Sequence, residues 1–338
     1  MHCTLEVCVD STASALAAKR GGADRLELCA DLIIGGTTPS PALLRQVKAE
    51  TGLPVRALIR PRFGDFCYDH YELAQMAECA AELVAAGADG IVTGVLTPAG
   101  ALDTDALRPI YAAARQAAEK AHRTVDCTLH RAFDVCCDPF AALEASKQLG
   151  LATILTSGQA ASAPQGAALL RQLVEAAGQE VEILVGAGVS AANIPALAAQ
   201  TGARAFHLSG KQVLDSRMTF RREGVPMGLP GFSEFEIWQT SEANIRAART
   251  VLDALYRTNE TFISYSGIIG KHPSAHRSAV SAGNRRCILP FSITTLSREN
   301  AKSGNPQAAR FCSNKVFPTS VQGGKPDCAA GAQPAVQQ

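Results

Sequence analysis

No stretch of the 338-residue chain stays apolar for the roughly 18 to 20 residues that a membrane span needs, so no membrane partner is expected. The first ten residues, MHCTLEVCVD, lack a basic segment and bring acidic residues in at once; they read as a strand, not a signal peptide. No CxxC pair is present, which removes the zinc-ribbon class. No G-x-G-x-x-G follows the first strand-like run, which removes the main support for an open dinucleotide-binding sheet. A strong charge of one sign is also missing: 32 Lys and Arg stand against 31 Asp and Glu. The basic residues are unevenly placed, with 9 basic and 3 acidic residues in 258–338, leaving 23 and 28 in 1–257. A mildly acidic body offers no electrostatic footprint for nucleic acid.

What the chain has is 11 cysteines and a regular alternation. An odd cysteine count in a chain without a signal peptide argues against a disulfide framework. The thiols of a cytoplasmic protein are then buried as small hydrophobes or open to a soft metal. Short β-rich runs are expected at 5–9, 25–29, 55–60, 90–96, 124–130, 153–157, 182–186 and 205–209, with helical runs between them and a last helix near 240–257. Eight strand–helix units indicate an α/β protein built as a single (β/α)8 TIM-like barrel. Helix starts at Ser11, Ser40 and Asp138-Pro139, and stops at Gly52, Gly87, Gly150, Gly178 and Gly202, fit the same count. The barrel is expected over 1–257. Residues 258–338 lose apolar periodicity and read as a low-order basic extension, with one apolar run at 287–295.

Active faces of such barrels lie at the C-terminal strand ends. The first two strands share a pattern, Leu5-Glu6-Val7-Cys8 and Leu26-Glu27-Leu28-Cys29. Because side chains alternate along a strand, Glu6, Cys8, Glu27 and Cys29 should face the axis, with Cys8 and Cys29 side by side above the glutamates. Arg60, Arg62 and His130 end later strands, Asp65 follows in a loop, and His207 and Ser209 share a face of the eighth. One reading makes Glu6, Glu27 and Arg60 a structural ion-pair network. The other makes the cluster a site, with Glu6, Glu27, Arg60 and His130 as catalytic groups acting on a small anionic substrate, phosphorylated or not. Ser157, Gly186, Gly188 and Ser209 would then help to bind the anion through the glycine-rich loops after strands 6 to 8. For a soft metal, Cys29 is the first candidate ligand, then Cys8 and Cys67. A third possibility is a catalytically silent scaffold whose basic extension carries the partner contact.

These segments resemble the copper homeostasis protein CutC family. The matching runs include Glu6-Val7-Cys8, Gly21-Gly22-Ala23-Asp24-Arg25-Leu26-Glu27-Leu28-Cys29, Gly35-Gly36-Thr37-Thr38-Pro39-Ser40, Ile59-Arg60-Pro61-Arg62, His130-Arg131-Ala132-Phe133-Asp134 and Gly186-Ala187-Gly188-Val189. The resemblance spans about 1–257. It implies a TIM-like barrel, a cytoplasmic setting, a homo-oligomer, and a role in copper homeostasis with Cu(I) held through cysteines. Two departures stand out: Ile34 where the family usually has Glu, and Leu129 where it usually has Phe.

Overall fold

The structure, a computed structural model, describes residues 3–268 apart from 223, 226, 229 and 230, with side chains up to 255. The expected apolar run at 287–295, and with it Cys287, Cys312 and Cys328, lies outside the described residues.

Eight parallel strands close into a barrel in sequence order: β1 (Thr4–Val9), β2 (Arg25–Leu28), β3 (Val55–Leu58), β4 (Gly90–Thr93), β5 (Asp126–Leu129), β6 (Thr153–Thr156), β7 (Glu182–Val185) and β8 (Ala205–Leu208). The helices are α1 (Thr12–Gly21), α2 (Pro41–Thr51), α3 (His70–Ala85), α4 (Thr104–Lys120), α5 (Pro139–Gln148), α6 (Ala167–Ala177) and α7 (Ile194–Thr201). After β8 come a two-stranded hairpin, β9 (Lys211–Asp215) with β10 (Glu236–Thr240), and then α8 (Glu242–Ile268). The eight-unit barrel is as expected; the hairpin is not, and α8 continues past 257. No helix among the described residues is long and apolar enough to cross a membrane.

Local chemistry accounts for the helix starts. Ser11 and Ser40 accept from the amides of Ser14 and Leu43, and Asp69 with Glu72 makes a reciprocal capping box. The recurring Gly-Ala-Asp turn does one job twice. Asp24 accepts from the amide of Leu5 and Asp89 from the amide of Val55, each at 2.7 Å, so each carboxylate ties the foot of its strand to the preceding one.

The strand period sorts side chains as the alternation predicts. Leu5, Val7, Leu26, Leu28, Val55, Ile59, Ile91 and Ile154 join the large core between barrel and helices. The opposite face fills the axis, with Leu155, Leu184 and Ala205 on one side and Cys29, Leu58 and Val92 on another. The remainder of the axis is polar. Two glycines of β4 or its end make room for it. A Cβ on Gly90 would stand 2.8 Å from Cγ of Arg56, and one on Gly94 would stand 2.7 Å from the ring of His130.

Candidate functional site

Polar groups inside the barrel fall into three neighbourhoods. The lowest, near the N-terminal strand ends, centres on Glu6, which is 1% exposed. Arg25 bonds Glu6 through Nε and reaches Glu182 through Nη2 at 2.7 Å. Arg56 crosses the barrel, donating to Thr128, Thr153 and Asp126, with its Nη1 3.7 Å from Glu6. Burial alone would raise Glu6; the His207 hydrogen bond and the charges of Arg25, His207 and Arg56 outweigh it and hold the carboxyl far below its usual range. Carboxylate and cations satisfy one another here, as a buried charge requires. Alternation puts Arg25 on the same face as Glu27, and Arg56 on the face of Arg60, so the strand period accounts for both cations. Arg60 takes no part in this network.

The middle neighbourhood holds Cys8, Glu27 and His207, all buried, with one ligand atom of each lying within 4.8 Å of the others. They come from β1, β2 and β8, which are adjacent because the barrel closes. Since Glu6 is ionised it can only accept, so His207 donates to it from Nδ1 at 2.9 Å. That fixes the ring and turns Nε2 toward Glu27, whose Oε2 is 3.5 Å away. Burial opposes a charged His207, but Cys8, Glu27 and Glu6 together raise its pKa well above the ordinary value. Burial likewise pushes Glu27 up to about 7, with His207 opposing and the charge of Glu6 adding to the rise.

The register departs from the expected one. Cys8 is level with Glu27, and Glu6 with Arg25, instead of Cys8 with Cys29. Neighbouring strands of a barrel are staggered, and the stagger lifts Cys29 one step higher. Its amide and thiol both point to the carbonyl of Val9, and burial, followed by the charges of Cys8 and Glu27, pushes the thiol well above its usual pKa.

A cavity of about 770 Å³ opens above Cys8 and His207 toward the loops after β7 and β8. Gly188, Ser190 and Ser209 line it, together with Asp10, Arg131 and Trp238. Leu32 and Ile33 line it too, while Ile34, at the position of the family's usual Glu, does not. Asp10 continues the axis-facing row of Glu6 and Cys8, so alternation could have found it. Trp238 belongs to the unexpected hairpin and carried no signal. Gly186 packs against Leu155, where a Cβ would stand 2.6 Å from Cδ1.

The third neighbourhood lies on the β3–β5 side, where Arg60 and His130 are brought close through Phe66. Arg60 Cζ is 5.1 Å from the Phe66 ring centre, and the Phe66 and His130 ring centres are 4.8 Å apart. Other expected residues sit elsewhere. Arg62 pairs with Asp65 and Glu72 near the surface. Cys67 donates its amide to Asp65 and is outside the Cys8 group. Ser157 donates to the carbonyl of Ala160 and accepts from Arg131.

The CutC family profile matches residues 3–212. A family protein CutC of Chromobacterium violaceum is 43% identical over 249 residues, covering 74% of this chain and 98% of the relative. A Homo sapiens relative named copper homeostasis protein cutC homolog is 39% identical, covering 73% of this chain and 88% of its own length. Among solved structures, a Streptococcus agalactiae chain described as a copper homeostasis protein CutC overlays with a TM-score of 0.57 at 29% identity, covering 61% of this chain and 98% of that one.

Proposed function

The chain belongs to the CutC family, and from that premise we propose that it handles Cu(I) as cargo at the floor of the barrel mouth. The observation that carries this reading is the meeting of Cys8, Glu27 and His207 within 4.8 Å, on three strands, beneath an open cavity. A thiol and an imidazole suit a soft monovalent ion better than a hard one. Glu6 acts behind them. By accepting from Nδ1 it leaves Nε2 of His207 as the ligand atom, the usual role of a carboxylate behind a metal-binding histidine. Binding through Nε2 expels the proton that the raised His207 holds there, so affinity rises with pH.

Cys29 and Cys67 are the other thiols that the sequence nominates. Cys29 lies on the same axis-facing row as Glu27 but is packed against Leu58 and Val92. The same reading carries a cytoplasmic setting and a homo-oligomer. Competition between the reduced protein and a Cu(I) chelator tests it. Cys8→Ser should weaken binding at least tenfold, and adding Cys29→Ser should change little further. Unchanged affinity in Cys8→Ser removes the proposal; a loss seen only with Cys29→Ser transfers it to Cys29.

A further inference from the structure

Arg60 is the unusual cation of this barrel. Arg25, Arg56 and Arg62 each pair with carboxylates, but Arg60, only 8% exposed, pairs with none among the described residues. Its Nη1 and Nη2 donate to the carbonyls of Gly36 and Gly64 at 3.1 and 3.0 Å, and its Nε has no acceptor. The backbone around it is fixed, since Thr38 bonds both the amide and the carbonyl of Arg60. A buried charge facing only neutral dipoles is costly unless a counter-charge reaches it.

Two further donors share this neighbourhood. The amide of Ala132 donates to Nδ1 of His130 at 3.1 Å, so the proton of the neutral ring is on Nε2, which is buried without an acceptor. Burial, followed by the charge of Arg60, pushes His130 down to about 3, which keeps it in that neutral form. The Tyr68 hydroxyl is also buried with no partner at hydrogen-bond geometry; burial raises its pKa, and the charge and side-chain approach of Arg60 oppose the rise. Five buried side-chain polar atoms lack a partner among the described residues, and three of them are Arg60 Nε, His130 Nε2 and Tyr68 OH. One permanent charge, an imidazole N–H and a phenolic hydroxyl free to donate describe a place suited to an anionic oxygen group.

We propose that Arg60, Tyr68 and His130 form a subsite for the anionic group of a small ligand, a carboxylate or a phosphoryl group, on the β3–β5 side of the barrel mouth. This subsite is separate from Cys8 and His207 and does not depend on copper. Gly94 serves it by admitting the His130 ring, and Phe66 by lying between that ring, tilted 54° to it, and the guanidinium.

The test uses the full chain, titrated with inorganic phosphate, sulfate and malonate against sodium chloride at matched ionic strength. The readouts are the thermal midpoint and the imidazole resonances of His130. At least one oxyanion should raise the midpoint saturably and shift the Nε2–H proton of His130 downfield; phosphate and sulfate against malonate distinguishes a phosphoryl group from a carboxylate. Arg60→Met should weaken that response at least tenfold, Tyr68→Phe several-fold, and Cys8→Ser should leave it intact. The wild-type resonance decides the matter if Arg60→Met does not fold. No saturable effect beyond chloride in the wild type, or an equal response in Arg60→Met, would overturn the subsite.

Discussion

Glu27 is the residue whose ionisation is most directly readable. Its carboxyl is raised from 4.5 to about 7, chiefly by burial. A carboxyl with a raised pKa holds its proton longer in the folded than in the unfolded chain. Its contribution is therefore fully present below about pH 4.5 and is lost as pH rises through about 7. Glu27→Gln cannot titrate, so its unfolding free energy should gain on the wild type across that window by on the order of 1–3 kcal/mol. Urea unfolding at pH 4.5 and pH 7.5 measures the difference. His130, pushed down to about 3, works in the opposite sense below pH 6.5 but is common to both proteins and cancels. Glu6 should behave differently again. Glu6→Gln strands Arg25 and Arg56 without their shared carboxylate and should cost about 3–5 kcal/mol at pH 7. A loss under about 1 kcal/mol would mean that Glu182 and Asp126 already satisfy the two arginines.

At the scale of elements, β4 serves the interior by what it leaves out. Gly94→Ala would place a methyl 2.7 Å from the His130 ring and 2.9 Å from Cβ of Ala132. Overpacking of this kind should cost about 1–3 kcal/mol in urea unfolding, and an unchanged midpoint would show that the ring moves aside freely. The facing of the strands was legible because alternation is a local property: Glu6, Cys8, Glu27 and Arg56 all point where the period of two puts them. Which residues stand opposite each other was not legible. The stagger of a barrel is set by closure of all eight strands, and no pair of strands carries it alone. That is why Cys8 meets Glu27 instead of Cys29. The β9–β10 hairpin escaped for a different reason. Its five-residue strands are joined across residues 216–235, with none of the two-residue turn chemistry that marks a hairpin in sequence.

For the whole molecule, the barrel was readable because eight strand–helix units repeat the same signals, and a repeated signal outweighs any single ambiguous run. The candidate site was half readable. Cys8, Glu27 and His207 each stand out as axis-facing groups, but Glu27 and His207 lie at opposite ends of the barrel sequence, on β2 and β8, and only β1–β8 closure joins them. Closure also sets the division of labour. The satisfied Glu6–Arg25–Arg56 network lies toward the N-terminal strand ends, where barrels keep their stability, and the cavity opens toward the C-terminal ends, where they keep their chemistry. What surrounds bound Cu(I) separates a Cys8–His207 site from a cluster of thiolates. X-ray absorption at the copper edge of the reduced, Cu(I)-loaded full chain reads those neighbours directly. It should show one sulfur together with the multiple-scattering signature of one imidazole, both lost in Cys8→Ser. Two or three sulfurs without an imidazole would contradict the Cys8–His207 assignment.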